Sequence, residues 1–138
     1  MLGLGVDCVG RRAYPWSIHI DPILPRMKKG MIAMAFYAWT QNVPITAEIY
    51  DEIDARIGTT PMPGLIVHLT IEHPDKSIGY LDVWESQEAC DKAVDAVVHP
   101  AVHPVLAARG IHPPGEPPRM PTTVLDVRFG DGTTVRPT

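Results

Sequence analysis

GLIVHLTIEHPDKSIGYLDVWE, residues 64–85, holds two apolar, β-branched runs on either side of Pro74-Asp75-Lys76. That pattern predicts two strands, 64–73 and 77–85, joined as a hairpin. A register in which paired residue numbers sum to 150 sets His68 opposite Asp82 and Thr70 opposite Tyr80. Because side chains alternate along a strand, Ile66, His68 and Thr70 are expected on one face. A carboxylate beside an imidazole holds its tautomer. His68, Asp82, Tyr80 and Trp84 together could bind or deprotonate a phenolic ligand. The same pair could instead satisfy buried polar groups at a subunit interface, and both readings stay open.

Working outward, MIAMAFYAW (31–39) reads as a buried strand. Thr46 can cap a helix whose Ile49, Ile53 and Ile57 form one stripe, and Gly58 supplies its stop. Downstream, Ser86 is an N-cap, and Ala89, Ala93, Val94, Val97 and Val98 mark a helix face reaching His99. Pro100 suits the first turn of a new short helix, 101–108. TTVLDVRF (122–129) reads as a last strand and Gly130-Asp131-Gly132 as a turn. The order βαββαβ is an α+β, ferredoxin-like sandwich, an antiparallel sheet with helices on one face. This domain is expected over 31–129. Residues 1–30 would be an extension that packs as an arm, and 130–138 a tail. The natural start could be Met1, Met27 or Met31.

With 138 residues, 45% apolar and 20% charged, the chain has the composition of one globular domain. A net charge of −4, with Arg26-Met27-Lys28-Lys29 as its only basic cluster, argues against a nucleic-acid partner. No apolar run reaches the length of a membrane span, and two cysteines, Cys8 and Cys90, read as reduced thiols of a cytoplasmic protein. His99 and His103, in HPAVHP, sit four apart, but His99 is read as a helix end and His103 as part of the next helix, with Pro104 interrupting the geometry. Structural zinc takes four ligands, so no metal site is expected there.

GLIVHLTIEHPDKSIGYLDVWESQEACDKAVDAVVHPAV, with ITAEIYDEI opening the first helix and VWES leading into the last, resembles the dimeric α+β barrel superfamily. The resemblance is closest to its antibiotic-biosynthesis-monooxygenase-like branch and covers about residues 31–110. It implies a homodimer packed sheet to sheet, with a pocket in each monomer between sheet and helices. It also implies a range of chemistries, from cofactor-independent oxygenases acting on aromatic substrates to haem-degrading enzymes. His103 lies 19 residues beyond Trp84, similar to the haem-ligating histidine of the latter branch. That branch's asparagine and helical tryptophan are replaced here by Phe36-Tyr37-Ala38 and Ala93.

Three readings follow. The first is a cofactor-independent monooxygenase-like enzyme on a hydrophobic or phenolic small molecule, with His68 as base, Asp82 orienting it, and Tyr37, Tyr80, Trp84 and His103 around the substrate. The second is a haem or small-ligand binder using His103. The third is a non-catalytic homodimer of structural or regulatory role.

Overall fold

The hairpin forms in the register read from the sequence. In a computed structural model describing residues 35–137, β2 (Leu65–Glu72) and β3 (Ile78–Trp84) pair antiparallel, with His68 opposite Asp82 and Thr70 opposite Tyr80. The turn between them is closed by His73 N–H donating to Ser77 O at 2.9 Å. Asp75 accepts from both the backbone N–H and the hydroxyl of Ser77, which holds its carboxyl below the usual range. One detail departs from strict alternation. Leu65 faces Trp84 while Val67 faces Val83, so one residue is inserted as a bulge at Ile66. Leu65, not Ile66, therefore shares the face of His68.

Two further strands complete the sheet, whose order is β2-β3-β1-β4 with antiparallel neighbours. This is the ferredoxin-like arrangement. β1 runs Tyr37–Val43, later than the expected 31–39; residues 31–34 lie outside the described residues, as do the arm at 1–30 and the candidate start positions. β4 is Met120–Thr122, upstream of the strand expected at 122–129. Pro121 lies within it, which an edge strand tolerates because one row of its N–H groups faces away from the ladder. The stretch read as the last strand instead gives β5 (Val127–Arg128), which pairs with β6 (Thr134–Val135). Residues 130–138, expected as a tail, thus supply a turn and a strand.

The helices lie on the sheet face that carries Trp39, His68, Asp82 and Trp84. α1 (Ala47–Ile57) starts where Thr46 Oγ1 accepts from Ile49 N–H and stops at Gly58, whose φ is +56°. α2 (Gln87–Ala93) starts at Ser86, which accepts from Ala89 N–H at 3.1 Å. The chain then continues without a break. A π-helical turn, Val94–Val98, leads directly into α3 (His99–Ala108). Pro100 explains the wide turn: in an α-helix its ring would strike the carbonyl of Ala96. In the π turn His99 N–H reaches Val94 O, five residues back. The separate helix expected over 101–108 is thus not a new start: Pro100 does occupy the first turn of α3, but α3 begins at His99 as a continuation of the π turn. The expected separation of His99 from His103 does not hold either, because both belong to α3.

Two clusters form the core. Trp39, Trp84, Cys90, Ala93 and Val94 join sheet to α2 and the π turn; Ile49, Ile53, Ala101, Val105 and Leu106 join α1 to α3. Arg109 adds an ion pair to Glu52 of α1. Gly64, at φ +90°, lets β2 begin against α2: a Cβ there would lie 2.5 Å from that of Ala89. No helix among the described residues is long and apolar enough to cross a membrane.

Candidate functional site

A cavity of about 370 Å³ opens between the sheet and the helices, bordered by members of both core clusters. Its floor carries His68, Tyr80, Asp82 and Trp84; Tyr50 of α1 and His99, Val102 and His103 of α3 form the opposite wall. The proline-rich segment 113–117 closes one end. A cavity of about 150 Å³ holds one benzene, so this one suits a ligand of two or three rings.

A chain of hydrogen bonds runs along the floor. Trp84 Nε1–H donates to Asp82 Oδ2 at 2.9 Å, and His68 Nδ1 meets Asp82 Oδ1 at 2.5 Å. On the other side of the ring, His68 Nε2 lies 2.9 Å from Thr70 Oγ1. Asp82 is only 4% exposed, and a carboxylate taken from water needs such compensation. Both its oxygens accept, so Nδ1 carries the proton directed at it. In the neutral ring Nε2 is then left as acceptor, taking the hydroxyl proton of Thr70. Thr70 does not border the cavity, so this hydroxyl caps the ring of His68 from outside it. The pair expected from the register is thus present, and it is extended at both ends, by Thr70 and by the indole of Trp84.

Three rings gather over this chain. The ring centroids of His68 and Tyr80 are 5.1 Å apart, those of Tyr50 and His68 6.5 Å, and those of Tyr50 and Tyr80 6.0 Å. Burial pushes the Tyr80 phenol well above its usual range, and Tyr50 and Asp82 push the same way. It therefore stays protonated as a hydrogen-bond donor. Since the folded state holds this proton more tightly than the unfolded state, its contribution is complete below the ordinary tyrosine value. It fades as pH rises from there toward the raised value of the folded state. We expect the urea midpoint to fall from about pH 10 upward, and Tyr80→Phe to flatten that fall. Equal slopes in both proteins would contradict the burial argument.

The remaining expected residues divide. Tyr37 does not border the cavity; its hydroxyl accepts from Arg119 Nη1 at 3.2 Å. His99 and His103 both do, with rings stacked at 4.9 Å and 16°. His99 Nδ1 lies 3.6 Å from Asp95 Oδ1. Among the described residues no group of three or more potential ligands can hold a metal ion. Cys90 is fully buried, and burial pushes its thiol up.

Some contributors had weak sequence signals. Tyr50 follows the Ile49 stripe by one residue, and Gln41 and Arg119 gave none. Gln41, 4% exposed, donates from Nε2 to Pro117 O at 2.6 Å and so pins the end wall to β1. Arg119 bonds Glu116 and Asp91 and lies 5.1 Å over the ring of Trp39.

No family model matches the chain, and no curated protein matches it. Among solved structures the chain is similar to one from Chloroflexus aurantiacus J-10-fl that carries the provisional name antibiotic biosynthesis monooxygenase. The two are 17% identical, with 69% of this chain and 98% of that one covered, at a TM-score of 0.48. The chain is an α+β, ferredoxin-like protein by its own strand order and register.

Proposed function

We propose that this protein is a cofactor-independent, monooxygenase-like enzyme acting on a phenolic substrate of two or three rings. The observation that carries this reading is the His68–Asp82–Trp84 chain at the floor of a largely apolar cavity, with Thr70 bonded to His68 Nε2 from outside its border. Rotation of the Thr70 side chain frees His68 Nε2, and the substrate hydroxyl then gives up its proton there. Asp82 stabilises the imidazolium that results, and Trp84 holds Asp82. The electron-rich anion then reduces dioxygen directly. The O–O bond breaks as a ring C–H carbon becomes a carbonyl carbon, and the other oxygen leaves as water with the ring hydrogen and the phenol proton, so a hydroxyarene and dioxygen give a quinone and water. The apolar walls keep bulk water from the anion. Tyr80, with its proton retained, donates to developing negative charge.

The test combines binding and turnover. Hydroxynaphthalenes and hydroxyanthracenes should raise the melting temperature, since a ligand bound only to the folded state stabilises it. Electron-rich members should also drive oxygen uptake by metal-free protein. Stabilisation without oxygen uptake would leave a binding protein, and neither effect would favour a non-catalytic barrel.

The assembly we propose is a homodimer in a cytoplasmic setting. Leu69 and Ile71 point away from the cavity, on the sheet face without helices, and are 48% and 40% exposed. Two copies packed across that face would cover them. Light scattering should give twice the monomer mass, and Leu69→Glu with Ile71→Glu should halve it. A wild-type monomer at micromolar concentration would remove the dimer.

A further inference from the structure

The charges around the cavity are unequal. Among the described residues its border includes no Lys or Arg, but three carboxylates, those of Asp54, Asp82 and Glu116. Two of them are engaged. Asp82 is held by His68 and Trp84, and Glu116 is bonded by Arg119 Nε at 3.0 Å. Asp54 is exposed at the cavity edge, and among the described residues no cation lies within ion-pair distance of it. It follows Tyr50 by one helical turn on α1, so the carboxylate and the phenol ring share one side of the helix. An aromatic surface attracts cations over its faces, as Arg119 already lies over Trp39.

Resting on the reading that this cavity takes a phenolic ligand, we propose that the ligand also carries a basic amine. Its rings lie against Tyr50 and Tyr80, its phenol reaches His68, and its ammonium pairs with Asp54. The same arrangement disfavours ligands that arrive with a carboxylate or phosphate, for which the wall offers no fixed positive charge. An anion is tolerated only where the protein makes it, at His68, which holds the released proton.

Three naphthols of matched size separate charge from shape: 6-(aminomethyl)-2-naphthol, 6-methyl-2-naphthol and 6-hydroxy-2-naphthoic acid. Calorimetric titrations are run at pH 8 and low salt, where the amine probe is a cation and the carboxylate probe an anion. The expected order of affinity is amine, then methyl, then carboxylate. About tenfold should separate the ends, the size suited to an exposed pair acting by attraction in one case and repulsion in the other. Asp54→Asn should bring all three within about twofold while leaving the methyl compound unchanged, and added salt should narrow the wild-type spread. A carboxylate that binds as tightly as the amine, or a spread that survives Asp54→Asn, would overturn this proposal and leave the phenol site intact. Failure of all three to bind wild type would overturn the phenol site as well.

Discussion

Trp84→Ala should lower the free energy of unfolding by about 3–5 kcal/mol, the range for removing a large aromatic side chain from a core. Trp84 is 2% exposed and sits in the cluster that joins the sheet to α2. It also donates the bond that satisfies Asp82 Oδ2. Trp84→Phe separates the two contributions, because it keeps most of the volume and removes the N–H. Leaving a buried carboxylate oxygen without its donor costs about 1–3 kcal/mol. Urea titrations of the three proteins should therefore rank wild type, Phe, Ala. A Phe variant as stable as wild type would show that the indole N–H does nothing for Asp82.

Asp82→Asn should cut turnover by a factor of about 10²–10⁴ with little change in melting temperature. The reason is the direction of the hydrogen bonds. The indole N–H of Trp84 needs an acceptor, so the asparagine oxygen must face it. The amide N–H₂ then faces His68 Nδ1, which can only accept. The ring is driven to its other tautomer, with the proton on Nε2, and can no longer take one from a substrate. Both bonds survive in altered form, so the fold is barely affected. A large loss of melting temperature with turnover unchanged would assign the pair to structure alone. Nitrogen NMR of His68 would report the tautomer without any substrate.

What could be read in the sequence was whatever had a short period or a local chemical reason. The hairpin register was legible because alternating β-branched residues and a tight Pro-Asp-Lys turn leave little freedom, and it placed His68 against Asp82. Thr46, Gly58 and Ser86 were legible because caps act over three or four residues. The fourth strand was not. Met120-Pro121-Thr122 looks like a connector, and it pairs only because β1 offers an edge to it at Ala38, Trp39 and Thr40. Val124 to Phe129 has the stronger strand composition, yet Leu125 is 80% exposed and only Val127 and Arg128 pair. Tertiary context overrides β-propensity here. The bulge at Ile66 also escaped, since an inserted residue leaves the local pattern apolar on both sides. In the cavity, Tyr50, Gln41 and Arg119 matter through partners distant in sequence or through a shared space, which no spacing rule encodes.

The π turn at Val94–Val98 is equivalent to one residue inserted into an otherwise α-helical stretch from Gln87 to Ala108. Each residue turns an α-helix by about 100°, so this insertion sets the angle at which α3 meets the rest of the protein. Deleting one residue between Val94 and Val98 would rotate His99, Val102, His103 and Leu106 away from the cavity by about that amount. A single codon thus separates a helix that closes a ligand chamber from one that turns its histidines elsewhere.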